Sequence, residues 1–158
     1  MEEAVRSDGD VRVIYKDWPI FGPPSERAAS VALASAAQGI YPAVHSRLMT
    51  DSRIIDDDML RDVVTAAGGD WEKTTAFLAT HAQEIAAQLR GNGQEAYAIG
   101  LSGTPGFLAG SMLVMGAIDT TDFGRLFARA RARAPQPSKG DEDDRIPTRG
   151  NDRGNPPR

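Results

Sequence analysis

Strand-forming sequence is confined to two short regions of this chain, and everything between them is patterned as helix. Val11-Arg-Val-Ile-Tyr-Lys16 is a run of β-branched and aromatic residues, the composition of a strand. Far downstream, Gly106–Ala109 and Met112–Met115 flank Gly110-Ser111 and read as a β-hairpin. A sheet must bury at least one face against another layer. The expected order is strand, four or five helices, hairpin, helix, in an α/β (α+β) arrangement.

The helices can be placed by their punctuation. Met1 to Arg6 reads as the end of a helix stopped near Ser7–Asp10. Pro19, Gly22, Pro23 and Pro24 forbid regular structure just after the first strand. Ser25 is the expected N-cap of a helix to about Gln38, with Gly39 as the stop. Tyr41 to Thr50 reads as a second helix, since Pro42 is tolerated in a first turn. Asp56, Asp57 and Asp58 open a third, where acidic residues suit the unpaired N–H groups. Its apolar face is Met59, Leu60, Val63 and Val64, and Gly68-Gly69 ends it. Asp70 caps a longer helix to about Arg90, with Trp71, Thr74, Leu78, Ile85 and Leu89 on one stripe. Gly91-Asn92-Gly93 is expected to be a turn before a shorter helix over Gln94–Gly100. Asp119 caps a last helix that buries Phe123, Leu126, Phe127 and Ala130.

From Pro135 onward Pro, Gly, Asp and Arg dominate, and Ile146 is the only large apolar residue. Such a segment buries too little surface to offset its ordering, so 135–158 is expected to be a disordered tail.

Composition excludes more than it proposes. The 158 residues suffice for one domain with a core. A net charge of −4 gives no electrostatic case for nucleic acid. Apolar stretches fall short of the roughly 20 residues of a membrane helix, so no membrane span is expected. The acidic start lacks the layout of a signal peptide, and the chain as written would stay in the cytoplasm. There is no cysteine, which removes disulfides, thiolate ligands and a cysteine nucleophile together. His45 and His81 fall on different helices without companion acids at ligand spacing, so neither a metal nor another cofactor is expected. His45 reads as packed or capping, His81 as exposed, and Trp18 and Trp71 as packing residues. Ser102 lacks the pattern of a nucleophile elbow.

Two segments carry a resemblance. Val11 to Gly22, followed by Ser25 and Ala28-Ala29, and Gly100-Leu-Ser-Gly-Thr-Pro-Gly-Phe107, followed by Gly110 and Gly116, resemble DsbA-family thioredoxin-fold proteins in order and separation. Tyr41, His45, Leu48 and Met49 resemble the first hairpin of that family's inserted helical domain. The resemblance implies a partial thioredoxin-like fold with a helical insertion. Residues 1–23 would be a remnant of the core, 24–100 the insertion, and 101–134 the rest of the core. It implies a cis bond at Thr104–Pro105, where spacing alone reads Pro105 as the start of a strand. It also implies a loop of Ser102, Gly103, Thr104, Pro105 and Phe107 that holds an extended polypeptide substrate. The family is usually periplasmic or otherwise extracytoplasmic.

The same resemblance implies what is missing. The family's Cys-x-x-Cys lies upstream of the segment matched by Met1–Asp10, so no residue here is expected to be catalytic. The first core strand and the start of the first core helix would also be lacking, as in a truncated product. That strand is central, between those matched by Val11–Lys16 and Gly106–Ala109. Its absence would leave backbone groups unpaired at about 1–3 kcal/mol each when buried, against a total stability of about 5–15 kcal/mol. Either the two strands close up, or a strand from a homo-oligomer or other partner fills the slot, or the chain is incomplete. The family role implied is thiol–disulfide oxidoreduction. This chain is expected to be redox-inactive, or to act as a peptide-binding or strand-complemented module.

Overall fold

The computed structural model describes residues 1–133. The expected tail over 135–158 lies outside them. In order, the elements are α1 (Glu2–Asp8), α2 (Pro23–Ser35), α3 (Tyr41–Thr50), α4 (Asp57–Ala66), α5 (Trp71–Ala98), β1 (Gly106–Ala109), β2 (Met112–Met115) and α6 (Thr120–Arg133).

The caps explain most of the boundaries. Asp56 accepts from the Met59 N–H at 2.8 Å, Asp70 from Lys73 at 3.0 Å and Asp119 from Asp122 at 2.8 Å. Each satisfies a donor that the first turn leaves free. Ser25 is not a cap. The N-cap of α2 is Gly22, and Pro23 and Pro24 occupy the first turn, where a missing N–H is not needed. A short 3₁₀ turn, Ala36–Gln38, follows α2. Gln38 then ties that turn to the start of α5, accepting from the Asp70 N–H at 2.9 Å and donating to the Thr74 hydroxyl at 2.8 Å.

Gly91–Gly93 does not form a turn, because α5 runs through it to Ala98. Asn92 and Gly93 are buried there against the chain that follows the Val11–Lys16 segment. The Asn92 amide donates to the Asp17 carbonyl at 2.9 Å, and the Trp18 ring covers Gly93. This packing outweighs the helix cost of glycine, about 1 kcal/mol per residue. The helix is interrupted instead at His81 (φ −115°, ψ 19°), whose ring stacks on Phe77 at 3.8 Å. His81 is therefore half-buried rather than exposed.

Two cores result. One joins α2, α3 and α4 through Val31, Val44, Leu60 and Val64, all fully buried, with Met59 and Val63 beside them. Each such side chain contributes about 1.5–3 kcal/mol. The other joins α1, α6 and the hairpin through Ala4, Phe123, Leu126 and Phe127, with Phe107 and Val114 packed against them. β1 and β2 pair antiparallel, with Phe107 opposite Val114 and Leu108 opposite Leu113.

Residues 11–16 do not form a strand. They are extended, and burial alternates with period two: 11, 13 and 15 half-buried, 12, 14 and 16 exposed. The pattern is that of a strand, yet no backbone group of this segment bonds to another backbone group among the described residues. A strand is defined by its partner, and among the described residues there is none. Among the described residues β1 pairs with β2 alone, so the 11–16 segment and β1 have not closed up.

Candidate functional site

Between the extended segment and β1 lies a groove of about 820 Å³. Residues 10–21 form one wall, and Thr104 to Gly110 form the other. α2 contributes Ala28, Ala29 and Ala32, and α6 contributes Phe123, Leu126 and Phe127. The small side chains of α2 leave the space that larger ones would fill. Ile14, Phe21, Met49 and Leu108 also line the groove and are well exposed, Phe21 to 80%. Large exposed apolar residues are ordinary one at a time, but a cluster around one cleft marks a contact surface.

One polar corner interrupts the apolar lining. The Tyr41 hydroxyl donates to Asp17 Oδ2 at 2.9 Å. His45 Nε2 stands 4.0 Å from Asp17 Oδ1, too far for a hydrogen bond. The Tyr15 ring lies 4.6 Å from the His45 ring and 5.6 Å edge-on from Tyr41. Burial pushes the Asp17 carboxyl above its usual range, although the Tyr41 hydrogen bond and His45 act in the other direction. Burial, then the neighbouring Asp17 charge, push the Tyr41 phenol up, so it remains a neutral donor. The corner pins the extended wall to α3.

The other wall begins at a tight loop. The Thr104–Pro105 peptide bond is cis. The Gly116 N–H donates to the Pro105 carbonyl at 2.8 Å, which anchors the loop to the end of β2. A Cβ on Gly106 would stand 2.3 Å from Leu101 Cδ2, so any larger residue here would displace the Leu101 side chain. Ser102, Thr104 and Pro105 are exposed, and the Ser102 hydroxyl points to the Met115 sulfur at 3.7 Å. Thr104, Pro105 and Phe107 line the groove, whereas Ser102 and Gly103 stand outside it. Phe107 also packs edge-on against Phe123 at 4.8 Å, so its ring serves the core as well as the groove.

The sequence resemblance points to Ser102–Phe107 and leaves the facing wall unassigned. Tyr15, Asp17 and Trp18 belong to the groove, and Trp18, read as a packing residue, is both. The available signal is that Asp17 is the one acidic residue among the apolar, aromatic and basic residues of 11–21. The arrangement can hold an apolar, extended segment through side-chain contact and backbone pairing.

Comparison with known proteins gives a consistent result. The sequence matches the DSBA-like thioredoxin domain family over residues 1–128. A thioredoxin-like oxidoreductase from Silicibacter pomeroyi superposes with a TM-score of 0.77 at 32% identity, covering 84% of this chain and 76% of that one. A periplasmic thioredoxin-like protein from Salmonella enterica serovar Typhimurium gives 0.70 at 26%, over 83% and 72%. The thiol-disulfide exchange protein alpha-DsbA2 from Wolbachia pipientis gives 0.75 at 23%, over 81% and 72%, which speaks to the fold alone. No curated protein matches the sequence.

Proposed function

The chain belongs to the DSBA-like thioredoxin domain family, and from that premise we propose that it holds extended polypeptide at the Thr104–Pro105 loop without exchanging disulfides itself. Family membership implies a thiol–disulfide oxidoreductase role. Disulfide exchange requires a thiolate that attacks a sulfur. The observation that carries this reading is the absence of any cysteine from the 158 residues, beside a loop that is exposed and opens onto an apolar groove. What such a site retains is the capacity to bind a peptide backbone in extended form. Ser102, Gly103, Thr104, Pro105 and Phe107 are the residues assigned to it.

The test is photo-crosslinking of the full chain with an unfolded, reduced polypeptide that carries a benzophenone group, run beside an insulin-reduction assay. Crosslinks are expected within 102–107, with insulin reduction at the rate of the blank. Crosslinks confined to α4 or α5 would remove the assigned site. Reduction above the blank would remove the non-redox part of the reading.

A further inference from the structure

Of the three asparagines in the chain, only Asn92 is followed by glycine. Such a pair is prone to cyclise, because glycine has no side chain to hinder attack of its nitrogen on the asparagine amide carbon. The fold blocks that reaction in three ways. Asn92 and Gly93 lie inside α5, where a helical N–H is committed to the carbonyl four residues back. The Asn92 side-chain amide donates to the Asp17 carbonyl at 2.9 Å, and the residue is only 7% exposed. The Trp18 ring covers Gly93, which keeps water off the pair.

The same stretch is where α5 opens most easily. Gly91 and Gly93 each cost a helix about 1 kcal/mol. The helix is interrupted at His81, and Leu89 is the last residue that it packs with Ala34 and Ile85 into the core against α2. Beyond Leu89, α5 is tied to the extended wall by the Asn92–Asp17 bond, by the exposed Lys16–Glu95 ion pair, and by Trp18 against Gly93 and Tyr97. Segments held by few buried contacts open locally, at less than the cost of global unfolding.

We propose that Asn92–Gly93 is a modification site gated by local unwinding of α5 beyond Leu89. Once the helix is unwound, the Gly93 nitrogen bonds to Asn92 Cγ, the Cγ–Nδ2 bond breaks, and ammonia leaves with the Gly93 proton. Water then opens the cyclic imide. Attack at Cγ leaves an aspartate. Attack at the backbone carbonyl carbon of residue 92 leaves an isoaspartate, with the chain running through Cβ and Cγ. Water is the one co-reactant. Neither product rebuilds the seat. A carboxylate at position 92 has no proton to donate to the Asp17 carbonyl, and an isoaspartate lengthens the backbone by one atom inside a helix. The modified chain therefore releases the groove wall at Asp17 and Trp18.

Peptide mapping of the full chain during incubation in mildly alkaline buffer tests this. Conversion at residue 92 is expected to run on the order of tenfold or more faster in urea-unfolded chain than in folded chain. Equal rates overturn the shielding. In Gly93→Ala, conversion in the unfolded chain is expected to be largely lost, and an unchanged rate overturns the assigned attack. In the folded chain, conversion is expected to rise with low urea on a shallower slope than global unfolding followed by circular dichroism, because local opening exposes less surface. An equal slope overturns local unwinding. Release of the wall is read in Trp71→Phe, where Trp18 is the one indole left. Its emission is expected to move to longer wavelength as product accumulates in native buffer, and emission that ignores the product overturns the release.

Discussion

The Trp18 indole sits on the backbone of Gly93, with Cδ1 and Nε1 each 3.2 Å from the place a Cβ would occupy. The contact joins the extended groove wall to the C-terminal part of α5, at a residue more than seventy positions away in sequence. It also explains why a Gly-Asn-Gly sequence continues as helix. Replacing Gly93 by leucine pushes the indole off this seat. Overpacking of this kind costs about 1–3 kcal/mol. Thermal unfolding with tryptophan fluorescence reads both effects, and an unchanged emission spectrum in Gly93→Leu would count against the contact.

Leu60 is fully enclosed by α2, α3 and α4. Leu60→Ala is expected to destabilise the chain by about 2–5 kcal/mol, the range for a buried leucine that leaves a cavity. Urea unfolding measures it. A loss of only about 0.5 kcal/mol, the range of surface substitutions, would show that this core collapses around the gap.

The Asp17 carboxyl is held above its ordinary value of 3.8, chiefly by burial. A raised folded value favours the protonated form. Its contribution to stability is complete below the unfolded value and is lost as pH rises through the folded one. Asp17→Asn removes that loss, and its amide oxygen can still accept from the Tyr41 hydroxyl. The variant is expected to melt higher than the parent at pH 7, with the gap narrowing as pH falls toward 3.8. Melting curves across that interval decide it. A variant that is less stable at pH 7, by a margin that ignores pH, would contradict the burial account.

Asp8 behaves in the opposite sense. Its hydrogen bonds from Arg131 hold the carboxyl below the usual 3.8, so the stability it adds is present above that value and lost as pH falls through the folded one. Arg131 joins α6 to the end of α1, where it also donates to the Asp10 carbonyl at 3.1 Å. Arg131→Gln is expected to lower the melting temperature modestly near neutral pH and to match the parent in strong acid. A melting difference independent of pH would assign the effect to packing rather than to the ion pair.

Residues that act through local chemistry were readable in advance. Asp56, Asp70 and Asp119 cap the helices they precede. Met59, Leu60, Val63 and Val64 form the face that α4 buries. The hairpin takes the boundaries that Gly110-Ser111 implied. The misreadings share another origin. Ser25 looked like a cap, but a proline pair two residues earlier had already started the helix. Gly91 to Gly93 looked like a turn, yet a distant indole and the Asp17 carbonyl hold that stretch in helix. Of the groove, only Thr104, Pro105 and Phe107 belong to the loop that the Gly-Thr-Pro resemblance singles out, and the opposing wall reads in the sequence only as a strand.

Apart from Gly91–Gly93, the sequence by itself determined which segments extend and which form helix, because turn chemistry, capping and hydrophobic period act over a few residues. Only the tertiary structure decided what those segments face. Val11–Lys16 has the alternation of a strand from its own side chains, but pairing needs a second backbone at about 4.8 Å. Whether one stands there depends on where α2, α6 and β1 place the walls, and in this chain they leave the position open as a groove.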